Sequence, residues 1–161
     1  MFGRVSHELE IQVPASKAWA LYGTLRLSRL CEEKFPIFEE IRLVEGDGGV
    51  GTILQLVIVP GVEGAHSCKE KFTKIDEEKR LKESEVIEGG FLELGFTLYR
   101  VRFEVIEKGE DDSACIVKST IEYELNDELA SNVSLVSIKS LEEIAKLAAT
   151  YLVEDTSTNA L

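Results

Sequence analysis

Between residues 6 and 13 polar and apolar side chains alternate, with Leu9, Ile11 and Val13 on one side of the period. A period of two is that of a half-buried strand, and Pro14 ends it. The spacing then becomes helical. Ala18, Trp19, Leu21, Tyr22 and Leu25 recur after a predicted cap at Ala15-Ser16, and a further short helix is predicted over 27–34, closed by Pro36. From 38 to 123 the pattern returns to strands, at 41–45, 52–59, 67–75, 80–87, 91–106 and 115–125. The breaks between them are a glycine-rich loop, Pro60-Gly61, Gly89-Gly90 and the turn 109–112, which reads as an antiparallel meander. A last helix is predicted from Asn126 or Asp127, with Leu141, Ile144, Ala145, Ala148 and Leu152 on one stripe. Residues 155–161 carry no periodicity and are expected to be a disordered tail, leaving 1–154 as a single domain. The predicted fold class is therefore α+β: a strongly curved antiparallel sheet wrapped around a long C-terminal helix, with two short helices.

Composition narrows the setting. A chain of 161 residues, 44% hydrophobic and 30% charged, suits one globular domain. Thirty acidic against eighteen basic residues give a net charge of -12, which repels phosphate backbones and anionic lipid, so neither nucleic acid nor membrane is an expected partner. The apolar runs are far shorter than the ~20 residues of a membrane span. The segment after Met1 lacks the apolar stretch of a secretory leader, which leads us to expect a cytoplasmic protein. Cys31, Cys68 and Cys115 are odd in number, widely spaced and without a C-x-x-C pair, the pattern of free thiols.

Alternation also says which charged side chains point inward. Over 80–87, Glu83 and Glu85 share one face and Lys82, Ser84 and Val86 the other; burying two neighbouring glutamates is costly, so the Lys82 face is the interior one. In the preceding strand Phe72 nominates Cys68, Glu70 and Phe72 as the inward set. A register with an even residue sum then brings Glu70 within reach of Lys82. Desolvation lowers a lysine's pKa and raises a carboxylate's, so such a pair can trade protons near neutrality; alternatively both side chains snorkel to the rim or form a structural ion pair. Tyr99, Val101, Phe103 and Val105 face inward on one strand, and Cys115, Val117, Ser119, Ile121 and Tyr123 on the last. They line either a pocket for an aromatic ligand or simply a core. The loop EGDGGVGT at 45–52 joins strand to strand and lacks the lysine of a phosphate-binding loop, so it reads as a glycine-rich hairpin. His7 and His66 are too few and too scattered for a metal site or a triad, and no metal is assigned.

Five stretches carry a resemblance over nearly the whole chain: EGDGGVGT at 45–52, KEKF at 69–72, RLKE at 80–83, IEGGFLELGF at 87–96 and SACIVKSTIEYE at 113–124. Together they resemble the pathogenesis-related class-ten family of the major birch pollen allergen, and within it the branch of the S-norcoclaurine and norbelladine synthases. The resemblance implies a seven-stranded antiparallel sheet gripping a long C-terminal helix, two short helices, and an internal hydrophobic cavity. It implies plant alkaloid chemistry, the condensation of an arylethylamine with an aromatic aldehyde, with ring closure in norcoclaurine synthases and no cofactor. Lys82 and Glu70 match the positions that transfer protons, and the substrate-binding wall falls to Cys68, Phe72, Val86, Tyr99, Val101 and Tyr123. Two positions depart from the norcoclaurine pattern: Cys68 stands in place of a tyrosine and Val101 in place of an aspartate. Tyr99 is the candidate to take over part of the tyrosine's role. The competing expectation is a non-catalytic carrier holding a hydrophobic metabolite or hormone in the same cavity. The sequence leaves the oligomeric state open.

Overall fold

The computed structural model describes residues 1–62 and 66–159. Seven strands form one sheet: β1 (Phe2–Ile11), β2 (Phe38–Glu45), β3 (Ile53–Ile58), β4 (Cys68–Asp76), β5 (Leu81–Gly89), β6 (Phe96–Glu107) and β7 (Cys115–Leu125). Their order is β1-β7-β6-β5-β4-β3-β2, with every neighbouring pair antiparallel. Helices α1 (Ala15–Tyr22) and α2 (Arg26–Lys34) connect β1 to β2, and α3 (Lys139–Asn159) follows β7. This is the α+β arrangement expected from the hydrophobic pattern, with α3 packed against β1, β7 and α2.

The alternation places the two faces of the sheet correctly. Phe72, Lys82, Ser84, Phe103, Val105, Val117, Ser119 and Ile121 are buried on the concave side. On the other side Glu83, Glu85 and Glu122 meet Arg4, Arg100 and Arg102 in one ladder across β1, β7, β6 and β5, including Arg4–Glu122 at 3.0 Å, Arg100–Glu85 at 3.0 Å and Arg102–Glu83 at 3.1 Å. Glu122 is 5% exposed and also pairs with Arg102, so its charge is met from several sides.

Four local expectations are corrected. The cap of α1 is Pro14 rather than Ala15-Ser16: its carbonyl accepts from the Lys17 and Ala18 N–H groups, at 3.0 and 3.2 Å. The run 91–106 is not one strand, because Gly90–Leu94 is a 3-10 turn entered and left through glycines at positive φ, including Gly95 at 90°. The segment after β7 is not the start of the long helix. Asp127–Leu135 forms 3-10 turns kinked at Leu129, tied to the earlier turn by Asn132 Nδ2 donating to the Leu94 carbonyl at 2.8 Å. Tertiary bonds of this kind override a local helical pattern. Finally, of the expected disordered tail, residues 155–159 belong to α3, which runs to Asn159, and Asp155 pairs with Lys17 at 3.4 Å. Residues 160–161 lie outside the described residues.

Candidate active site

Between the concave face of the sheet, α2 and the first turns of α3 lies a cavity of about 480 Å³. Seven of the eight residues expected at the site reach its wall: Cys68, Glu70 and Phe72 from β4, Lys82 and Val86 from β5, and Tyr99 and Val101 from β6. Tyr123 is placed elsewhere, in the core, where its ring packs on Phe96 at 5.9 Å and against the backbone of Gly3. Its strand alternation was read correctly, but position along the strand carries it past the end of the cavity.

The register explains how the acid and the lysine share this space. Glu70 stands opposite Val86 and Phe72 opposite Ser84, an even sum as expected; a bulge between Phe72 and Lys74 then puts Lys82 opposite Ile75. Glu70 and Lys82 are therefore not direct cross-strand partners, and Phe72 lies between them. The Lys82 ammonium sits over the Phe72 ring, 4.4 Å from its centroid.

Burial and mutual attraction pull each group in opposite senses. Burial lowers the Lys82 pKa to about 8, while Glu70 and then Cys31 favour its charged form. Burial raises the Glu70 carboxyl above the ordinary carboxylate range, and Lys82 opposes that rise. The surface that Glu70 keeps accessible faces the cavity, so protein encloses it while small molecules can still reach it. Burial, reinforced by Glu70, also raises both cavity thiols, Cys31 and Cys68, to about 12, with Lys82 partly opposing the shift at Cys31. These thiols are therefore poor nucleophiles. With its pKa lowered to about 8, Lys82 can give or take a proton at a substrate oxygen.

The opposite wall was not anticipated. Cys31 from α2, Phe35 just past its end, Phe38 and Ile41 from β2, and Phe91 from the 3-10 turn all face the cavity. The i, i+4 pair Leu27 and Cys31 on α2 signals an inward helical face, but nothing in the sequence separates a face that fills a core from one that borders a hollow. Phe91 was assigned to a strand. It stacks on Tyr99 at 4.2 Å and 4°, giving the cavity a flat aromatic side. Among the described residues no cluster of three or more His, Cys, Asp or Glu is placed to hold a metal, and no described helix is long and apolar enough to cross a membrane.

The architecture and the residues have known counterparts. A model of the pathogenesis-related protein Bet v 1 family matches residues 1–155. The chain is 43% identical over 158 residues to the norbelladine synthase of Narcissus pseudonarcissus, covering 98% of this chain and 96% of that protein. It is 35% identical over 153 residues to S-norcoclaurine synthase 2 of Papaver somniferum, covering 93% of this chain but 65% of the longer relative. Among solved structures, norcoclaurine synthase from Thalictrum flavum in complex with dopamine and hydroxybenzaldehyde superposes with a TM-score of 0.85 at 34% identity, covering 96% of this chain and 88% of that one.

Proposed function

Because the chain belongs to the pathogenesis-related protein Bet v 1 family, we propose that it condenses an arylethylamine with an aromatic aldehyde inside its cavity, as an enzyme of the norbelladine and norcoclaurine synthase type. The observation that carries this reading is a lysine 3% exposed in the wall of a 480 Å³, mostly apolar cavity that a half-buried glutamate also lines. A pure carrier has no need of two desolvated ionisable groups, each of which opposes folding.

In this reading the amine nitrogen attacks the aldehyde carbon, a C–N bond forms, and the Lys82 ammonium gives its proton to the carbonyl oxygen. The proton that the attacking nitrogen releases passes through Glu70 back to Lys82 and restores the ammonium; Lys82 then protonates the carbinolamine hydroxyl, which leaves as water as the nitrogen lone pair forms the C=N bond. Glu70 takes the proton released from nitrogen, or orients the amine by accepting its N–H; where a ring closes, it takes the proton whose loss restores aromaticity. Cys68, Phe72, Val86, Tyr99, Val101 and Phe91 shape the aromatic wall. At Val101 an aliphatic side chain stands where norcoclaurine synthases carry an aspartate, which fits simple condensation without excluding ring closure.

Dopamine or tyramine incubated with hydroxybenzaldehyde tests the reading, with imine trapped by borohydride and cyclised product resolved on a chiral column. Product above a boiled-protein control supports it. Saturable binding of both compounds without product identifies a carrier.

A further inference from the structure

The glycine-rich loop, conspicuous in the sequence, plays no part in the site described above, yet it is bonded to it. It folds around Thr52, which is 1% exposed: the Gly48 N–H donates to Thr52 Oγ1 at 2.8 Å, and a Cβ on Gly46, whose φ is 93°, would lie 2.7 Å from Thr52 Cα. From this knot two main-chain bonds reach β4. The Gly51 N–H donates to the Phe72 carbonyl and the Phe72 N–H donates to the Thr52 carbonyl, both at 2.8 Å. Phe72 is thus gripped on both sides of its Cα immediately before the bulge that follows it, and its ring, 1% exposed, carries the Lys82 ammonium at 4.4 Å.

We propose that the loop 45–52 is a positioning device for Lys82: it fixes Phe72, and the Phe72 ring face replaces part of the water that the ammonium has lost, so that Phe72 is a positioning residue setting the protonation of the acid–base lysine. The surroundings leave the ring few competitors. Of the ionisable groups near Lys82, β4 supplies Glu70 and α2 supplies Cys31. Its cross-strand partners, Ile75 on β4 and Phe103 on β6, are apolar, as are Leu141 and Ile144, which α3 presents to the same cavity. Cys68 and Tyr99 are neutral thiol and phenol groups at neutral pH, and the other charged or titratable wall residues, His66, Lys139 and Glu143, are exposed. A ring face attracts a desolvated ammonium more strongly than a hydrated one, and it does nothing for the neutral amine.

Heteronuclear NMR of the lysine ε-CH₂ groups tests this, the Lys82 signal being assigned by its loss in Lys82→Met. In the wild type the Lys82 ε protons lie upfield of every exposed lysine, because they sit over a ring; an unshifted signal overturns the contact without recourse to any variant. Phe72→Leu, which keeps an apolar side chain but removes the ring, lowers the Lys82 titration midpoint by about 0.5–1.5 pH units. Phe72→Tyr, which keeps a ring, stays close to the wild type. Thr52→Val, which removes the acceptor for Gly48 and loosens the knot, shifts the midpoint the same way by less. A Phe72→Leu midpoint that stays or rises, or a Phe72→Tyr shift as large as that of the leucine variant, overturns the role of the ring. An unmoved Thr52→Val midpoint overturns that of the loop. Lys82 matters to turnover only under the condensation reading, but the titration is followed with no substrate present, so the two can fail separately.

Discussion

Lys82 lowers the stability of the fold at neutral pH, and the sign of that effect can be measured. Its pKa falls from 10.5 to about 8 on folding. Below pH 8 it is charged in both states and the folded state bears the desolvation cost; between about 8 and 10.5 only the unfolded chain holds the proton, so stability rises with pH across that window. Lys82→Met is therefore expected to be more stable than the wild type at pH 6–7, by on the order of 2–3 kcal/mol, with the gap closing towards pH 10.5. Glu70, which burial already inclines to protonation, accepts a proton rather than standing as an unpaired charge. Chemical denaturation at several pH values follows this, and a variant less stable at every pH contradicts it. Cys68 is the second residue whose role a single change can expose. It lines the cavity beside Gly90, where a Cβ would lie 3.0 Å from Cys68 Cβ. Cys68→Tyr places a phenol in open space near Glu70 and should change the ranking of aldehydes in competition assays, with less than about 1 kcal/mol of stability lost. An unchanged ranking with a loss of ~1–3 kcal/mol would mean that the site is packed core. The inward direction of both residues was legible because strand alternation is binary: Glu83 and Glu85 could not share the interior, which turns Lys82 inward, and Phe72 marks the inward face that carries Cys68. The exact pairing was not, because a bulge leaves no mark in the hydrophobic pattern.

At the scale of elements, what escaped the sequence is held by contacts between segments far apart in the chain. The 3-10 turn Gly90–Leu94 and the turns Asp127–Leu135 lock together at Gly95, where φ is 90° and an added Cβ would stand 2.2 Å from Leu129 Cδ1. Gly95→Ala should cost roughly 1–3 kcal/mol, from left-handed backbone strain and from the clash together. Adding Leu129→Ala should recover the steric part alone, so the double variant remains less stable than Leu129→Ala. Equal stability of those two would remove the backbone argument. The expected helix start at 126 misled because it rested on a capping residue alone: Leu129 in the segment that follows packs on Gly95, and α3 begins only at Lys139. The length of α3 was underread because residues 155–159 have no apolar stripe, although the Lys17–Asp155 pair helps hold that end of the helix.

For the whole molecule, the seven-stranded sheet and the three helices follow from local patterns that agree with one another, whereas the hollow between them was legible only through the family resemblance, which the match across residues 1–155 bears out. The net charge of -12 lies largely outside the cavity, whose wall is mostly apolar. Affinity for dopamine, a cation at neutral pH, should therefore change less than about twofold between low and high salt, whereas a cation held on the acidic outer surface would weaken severalfold. Isothermal titration at two ionic strengths separates these. In the proposed reaction Lys82 and Glu70 turn the cavity from a container into a catalyst. The most direct measurement compares wild type and Lys82→Met, both verified as folded and both shown by NMR to bind hydroxybenzaldehyde, for the initial rate of condensation with dopamine or tyramine. The predicted result is a rate above the boiled-protein control in the wild type and a loss of roughly 10²–10⁴-fold in the variant. Equal rates in the two proteins, or a wild-type rate no higher than the control, would contradict it.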